Sequence, residues 1–224
     1  MEPSLVLIHS PFLGPATWQS TARALAGDGR QVQVPSMLAV ARSAPPYWPA
    51  GVDAITRSVA DDEPVVLVPH SNAGLFVPAV VDALGDQVRG VVFVDAALPG
   101  AGHHTTSDFL SRLATADGLL PPWTSWWDDA DVAEVFPNAD VRAEVEAEQP
   151  RMPLAYYDHL PPAPPGWATP PCGYLWFGTP YDKGAAQAAD FGWPTAHLPG
   201  NHLHMLADPD AVAAAVLQLA GDWR

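Results

Sequence analysis

Val65-Val66-Leu67-Val68-Pro69-His70-Ser71-Asn72-Ala73-Gly74 is an apolar run that ends at a serine and restarts as a helix-like segment. It reads as a strand, a sharp turn and a helix with Ser71 at the apex. Such an elbow lifts the hydroxyl clear of a sheet and aims the Asn72 N–H at whatever Ser71 attacks. Ser71 is therefore the candidate nucleophile. Pro69 and Ala73 stand where the usual GxSxG pattern has glycines. Ala73 is small enough for the turn, whereas Pro69 removes a backbone donor at the end of a central strand. The plainer alternative for Ser71 is a serine that caps a helix.

A serine nucleophile needs an imidazole base and a carboxylate to orient that imidazole. The stretch Leu198-Pro199-Gly200-Asn201-His202-Leu203-His204-Met205-Leu206-Ala207-Asp208-Pro209 reads as a strand end, a loop histidine and a new helix. His202 and His204 lie two apart, so in a loop or extended backbone they point in different directions. His202, directly after the Gly-Asn turn, is the preferred base over His204.

Near the N-terminus, Leu5-Val6-Leu7-Ile8-His9 reads as a buried strand and Ser10-Pro11-Phe12-Leu13-Gly14-Pro15-Ala16-Thr17-Trp18 as the loop behind it. Together with the serine elbow and the His202 loop, this pattern resembles the α/β-hydrolase superfamily, and within it the branch of plant methylesterases and hydroxynitrile lyases. In that branch a strand ends in His-Gly, and a later Gly and Trp are spaced much as Gly14 and Trp18 are from His9. The resemblance covers most of the core and little of the middle of the chain. It implies the order serine, acid, histidine and makes residues 10–12 an oxyanion loop. The residue two after His9 is Pro11, which has no N–H to donate. The oxyanion donors are then Asn72 N–H together with Phe12 N–H or the Ser10 hydroxyl, and His9 and Pro11 are expected at the substrate pocket.

Two aspartates compete for the acid. Asp182 follows Leu175-Trp176-Phe177 in Gly178-Thr179-Pro180-Tyr181-Asp182, and Asp95 follows Val91-Val92-Phe93-Val94. The resemblance favours Asp182, whereas haloalkane dehalogenases carry their acid at a position like Asp95. The plainer readings are an exposed turn residue for Asp182 and a supporting group or helix cap for Asp95.

Apolar runs near residues 5–9, 31–34, 65–68, 91–94, 173–177 and 195–198 alternate with helical segments near 17–26, 51–60, 72–84, 185–189 and 210–219. Continuous apolar strands separated by helices imply an α/β fold, a mostly parallel sheet of about six strands covered on both faces. This is the α/β-hydrolase fold that the resemblance implies. From residue 99 to 165 no strand is evident, and a structureless loop of that length inside a compact domain is improbable. That segment reads as an inserted helical cap on a core formed by 1–98 and 166–224. Short helices are expected at 132–136 and 141–148, and Pro161 to Pro165 form a semi-rigid return. Trp123, Trp126 and Trp127 of the insertion are candidates to line an apolar pocket; the plainer reading is that they pack the insertion onto the core. Met152, Tyr156 and Tyr157 read as packing.

The 224 residues are 48% hydrophobic and 16% charged, enough for one domain with a sizeable core. A net charge of −15 without any basic stretch excludes a nucleic-acid partner and disfavours anionic membranes. No apolar run approaches the ~20 residues that span a bilayer. The single Cys172 permits no internal disulfide and reads as a packed thiol, and the N-terminus enters a strand at once, so a cytoplasmic protein is expected. His103-His104 lacks further ligands at metal spacing, and no glycine-rich phosphate loop is present, so no cofactor is expected. The expected partners are a small-molecule substrate and at most a second copy, as monomer or homodimer.

These residues point to serine-dependent hydrolysis of an ester, lactone or related acyl bond in a small apolar or aromatic substrate, such as a secondary metabolite. Two other functions use the same site. One is a cofactor-free lyase, cyclase or eliminase that moves protons with the same serine, histidine and aspartate. The other is a hydrolase-fold protein that binds a ligand without chemistry.

Overall fold

A computed structural model describes residues 2–27, 29–100, 108–221 and 223. The valine-rich and leucine-rich runs form the strands β1 (Ser4–Ile8), β2 (Val32–Gln33), β3 (Val65–Pro69), β4 (Val88–Val94), β7 (Cys172–Trp176) and β8 (Thr195–His197), numbered with β5 and β6 of the insertion described below. They make one six-stranded sheet in the order β2-β1-β3-β4-β7-β8, with every pairing parallel. Helices α1 (Gln19–Gly27), α2 (Trp48–Thr56), α3 (Val77–Leu84), α7 (Asp182–Asp190), α8 (His204–Ala207) and α9 (Pro209–Ala220) connect and cover it.

Because successive strand residues face opposite sides, the sheet divides its side chains between two cores. Val6, Ile8, Leu67, Val91, Phe93 and Tyr174 pack with α2, α3 and α7. Leu5, Leu7, Val66, Val68, Val92 and Leu175 pack with Trp18, Leu25 and the α9 residues Val212, Val216 and Leu219. Burial on both faces explains why these strands read as unbroken apolar runs rather than as alternating ones.

The helix expected over 72–84 divides in two. Ser71–Phe76 is a 3₁₀ segment, and α3 begins at Val77 with Pro78 in its first turn, where a missing N–H has no carbonyl to lose. Pro69 ends β3 and is flanked by two kept bonds, from His70 N–H to Ile8 O (2.9 Å) and from Ser71 N–H to Asp95 O (3.2 Å). Since N–H directions alternate along a strand, the proline sacrifices one rung toward β4 at the very end of the ladder.

Between β4 and β7 the described residues form α4 (Asp108–Leu113), β5 (Leu119–Leu120), α5 (Asp129–Ala133), α6 (Ala139–Glu148) and β6 (Met152–Pro153). The expectation of a strandless insertion is corrected: β5 and β6 pair antiparallel through Leu119 with Pro153 and Leu120 with Met152. A pairing two residues long is too short to leave a strand signature in sequence. His103 and His104 lie outside the described residues. Among those described, no helix is long and apolar enough to cross a membrane, and no cluster of His, Cys, Asp or Glu is suited to hold a metal ion.

Contacts from Ala16, Asn201 and Phe12 tie the segment between β4 and β7 to the loops at the carboxyl ends of the strands. Glu148 at the end of α6 accepts a 2.7 Å hydrogen bond from Ala16 N–H just beyond the loop after β1. Gly14 makes room for it, since a Cβ there would lie 2.2 Å from the Glu148 carboxylate. Asn201 donates to Glu134 O at 2.8 Å. Phe12 meets Trp126 and Tyr156 edge-on, at 5.3 and 5.4 Å between ring centres.

Candidate active site

Ser71 sits at the elbow with φ +57°, a left-handed conformation that costs a non-glycine residue about 1–3 kcal/mol. Its backbone is held on both sides by the end of β4: Ser71 N–H donates to Asp95 O, and Ala97 N–H donates to Ser71 O at 3.0 Å. Gly74, one turn on, lets the 3₁₀ segment lie against this strand end, because a Cβ there would fall 2.1 Å from Ala97 O. The turn therefore rests on Gly74 as much as on the small Ala73.

His202 lies in the loop after β8, and its Nδ1 is 2.7 Å from Asp95 Oδ2. The other Asp95 oxygen accepts from Phe177 N–H at 2.9 Å. Asp182, the preferred acid in the sequence reading, is instead exposed at the start of α7, and the carboxylate beside the imidazole is that of Asp95. The correction has a topological cause. Asp95 directly follows the strand neighbouring β3, whereas the turn that precedes α7 points Asp182 to solvent and leaves Tyr181 facing inward. His204 starts α8 with its ring against Phe177, 5.3 Å between centres.

His70 packs against His202 and bonds its backbone. Its Nε2–H donates to His202 O at 2.9 Å, and the two rings lie 4.5 Å apart. Burial lowers the His70 imidazole from 6.5 to about 3, with the nearby His202 adding to the effect, so it stays neutral. Burial likewise lowers His202 to about 4 and raises the Asp95 carboxyl to about 6. Each group moves toward its neutral form, against their mutual attraction, because desolvation outweighs it. At neutral pH the pair is a carboxylate accepting from an uncharged imidazole, which leaves Nε2 as a free base.

No direct hydrogen bond joins Ser71 to His202 among the described residues. The Tyr181 hydroxyl stands next to both, 3.4 Å from Ser71 Oγ and 3.5 Å from His202 Nε2. Sequence reasoning misses Tyr181, because no spacing rule marks a tyrosine at a loop apex and the neighbouring Asp182 carries the chemical signal.

The loop after β1 is pinned from inside. Met37 N–H donates to His9 Nε2 at 2.9 Å, so the His9 proton is on Nδ1, which donates to Ser10 O at 2.8 Å. Leu13 N–H donates to the same carbonyl. Burial lowers His9 to about 4. The placement of His9 and Pro11 at the substrate pocket is corrected here. His9 turns its ring into the core to bond Ser10 and Met37, and Pro11, buried in the turn, is absent from the cavity wall. Phe12 N–H has only a long 3.4 Å contact to Ser10 Oγ, and Asn72 N–H donates to no backbone carbonyl among the described residues. Both are available to a developing oxyanion.

A cavity of about 260 Å³ opens beside Ser71, lined by Ser10, Phe12, Asn72, His202 and the tryptophans 123, 126 and 127. Tyr157 and Tyr181 also line it, so Tyr157 is more than packing. A second, apolar cavity of about 220 Å³ adjoins it and shares Trp123, Trp127 and His202. A larger groove of about 740 Å³ lies between α3 and residues 164–170, and none of Ser71, His202 and Asp95 lines it. Cys172 is buried and its thiol is pushed up to about 12, which makes it unreactive.

A parallel sheet flanked by helices, a serine at a strand-to-helix elbow and a histidine loop after the last strand define an α/β-hydrolase-fold protein. The chain is similar to esterase PIR7B of Oryza sativa subsp. japonica, 31% identical over 127 residues that are 51% of this chain and 47% of that protein. It is 28% identical over 131 residues to the carbendazim hydrolyzing esterase of Nocardioides sp. (strain SG-4G), covering 54% of this chain and 50% of that one. The chain spans about half the length of the curated relatives it matches. An extracellular α/β-hydrolase from a Paenibacillus species, described as sharing homology with tobacco salicylic acid binding protein 2, superimposes with a TM-score of 0.73. It shares 19% identity over 99% of this chain and 100% of that one. No protein-family model matches the chain.

Proposed function

We propose that this protein is a serine hydrolase of an ester, lactone or related acyl bond in a small apolar or aromatic substrate. The observation that carries the reading is the 2.7 Å pairing of Asp95 with His202 beside the elbow serine, at the wall of an aromatic cavity. In this reading His202 Nε2 takes the Ser71 proton as Oγ attacks the carbonyl carbon. Asp95 steadies the imidazolium, and Asn72 N–H with Phe12 N–H or the Ser10 hydroxyl receives the oxyanion. Water then releases the acyl group. The segment 99–165 serves as a cap that keeps bulk water from the acyl-enzyme. The two similar esterases support acyl chemistry.

A second reading is favoured by one residue. Pro11 removes a donor from the loop, and a lost oxyanion donor costs about 10²–10³ in rate, so proton shuttling without an acyl-enzyme is the alternative. The protein is taken to act in the cytoplasm, where a lone thiol stays reduced, as a monomer or homodimer.

Intact mass after exposure to a fluorophosphonate probe tests the reading. One adduct on the native chain, absent from Ser71→Ala and His202→Ala, supports it. No adduct on the folded native chain refutes the acyl-enzyme and leaves proton transfer or ligand binding.

A further inference from the structure

Tyr181 holds an O–H beside Ser71 and His202 whose two hydrogen-bond contacts are both long. Its backbone is fixed at the entry to α7, with Tyr181 N–H donating to Gly178 O at 2.9 Å and Ala185 N–H to Tyr181 O at 3.0 Å. Its ring lies 4.8 Å from that of His202 at an interplanar angle of 3°. The oxygen contacts, 3.4 Å to Ser71 Oγ and 3.5 Å to His202 Nε2, both exceed the ~2.7–3.2 Å of good hydrogen bonds. Parallel rings also set the phenol oxygen over the imidazole face, whereas the Nε2 lone pair lies in the ring plane. The phenol is thus a donor held only by long contacts and free to turn to a better acceptor, and burial, the largest influence on it, raises its ionisation far above the ordinary value and keeps the proton in place.

A substrate atom supplies that acceptor. In a tetrahedral adduct on Ser71, the leaving oxygen must come within reach of the His202 Nε2 proton, which is the space that the Tyr181 hydroxyl borders. The geometry assigns Tyr181 a catalytic role: its O–H donates a hydrogen bond to the leaving-group oxygen, fitting the site to esters of ordinary alkyl alcohols. This rests on the serine hydrolase reading above. As the acyl carbon–oxygen bond breaks, its electron pair passes to the departing oxygen and the proton on His202 Nε2 follows. Tyr181 keeps its own proton and spreads the developing charge. Aryl leaving groups such as nitrophenolate are stable anions and need no such help.

The test compares native protein with Tyr181→Phe on esters that share one acyl group, para-nitrophenyl butyrate and ethyl butyrate. The phenyl ring keeps the stacking on His202, and fluorophosphonate labelling of Ser71 reports whether the site is intact. The expected result is a loss of about 10²-fold in kcat/KM for the ethyl ester, as for one lost donor to a developing oxygen charge, a loss under about threefold for the nitrophenyl ester, and retained labelling. Equal losses on both esters, or a gain on either, overturn the assignment. The native chain carries a second check, in which log kcat/KM depends only weakly on leaving-group pKa; a steep dependence, or nitrophenyl turnover without alkyl ester turnover, also overturns it. Absence of the adduct on native protein is a different failure, which removes the hydrolase reading itself and the Tyr181 role with it.

Discussion

Replacing Asp95 by asparagine separates the two aspartates that the sequence left in competition. The change keeps the shape of the site. The oxygen of the introduced amide can still accept from Phe177 N–H, now 2.9 Å from the Asp95 carboxylate, and asparagine tolerates the φ of +42° at this position. The amide then presents N–H to His202 Nδ1, where Asp95 presents an acceptor at 2.7 Å. Two donors cannot face each other, so the imidazole proton moves to Nε2, and the nitrogen that should receive the Ser71 proton has no lone pair left. The same tautomer inversion in a serine triad lowers kcat by about 10⁴, or about 5.5 kcal/mol in barrier. Fold stability at neutral pH should change by less than about 1 kcal/mol, since the neutral amide replaces a carboxylate that burial already disfavours, raising it to about 6. Asp182→Asn is the internal comparison; an exposed acid in the first turn of α7 contributes about 0.3–1 kcal/mol to the helix and nothing to the base. The assay is kcat/KM on para-nitrophenyl butyrate beside thermal melts of the three proteins. Activity of Asp95→Asn within tenfold of native, or an equal collapse of Asp182→Asn, would refute the reasoning.

Other consequences follow from the same geometry. The acid limb of kcat/KM should fall between pH 6 and 4, below the 6.5 of a free imidazole, because Asp95 sits at about 6 and His202 at about 4 and the pair titrates jointly; a limb centred above 6.5 contradicts this. Stability should drop as pH falls from 6.5 toward 3. His9, His70 and His202, lowered to about 4, about 3 and about 4, contribute fully above 6.5 and lose that contribution as pH falls through those values, each at ~1.4 kcal/mol per pH unit. Asp95, raised to about 6, has the opposite sign, with its contribution present below 3.8 and lost as pH rises through 6, so it offsets about one histidine. Urea midpoints across this range check the net slope, and a midpoint that rises on acidification rejects it. Gly74→Ala should destabilise by about 3 kcal/mol by driving a methyl into Ala97 O, a clash at 2.1 Å with backbone that cannot give way; a thermal midpoint within about 2 °C of native refutes the close approach. Glu148→Ala should lower kcat/KM and speed proteolysis within the insertion, since it frees the Ala16 N–H, held by a 2.7 Å charge-assisted bond. Unchanged cleavage kinetics would show that this tie does not hold the insertion.

The fold was legible from local pattern because its causes are local. Apolar runs such as Val65 to Val68 and Val91 to Val94 require burial on both faces, and the helical segments between them have nowhere to pack except on those faces. Ser71 was legible because an elbow leaves a mark in consecutive residues, with Ala73 and Gly74 small for steric reasons. His202 was legible because a histidine follows a Gly-Asn turn at the end of a strand. The two-residue strands β5 and β6 were not, since so short a ladder has no period to read.

By itself, the sequence determined a parallel α/β sheet, an elbow serine, a loop histidine and a tryptophan-rich segment between two of the strands, all of which depend on neighbours in the chain. The tertiary structure alone decided that Asp95 rather than Asp182 meets His202, that His9 faces the core, and that Tyr181 stands beside both Ser71 and His202. Those pairings join residues far apart in the chain, or depend on which way one loop turns, and hydrogen-bond partners at such separations are set by how the strand ends are brought side by side.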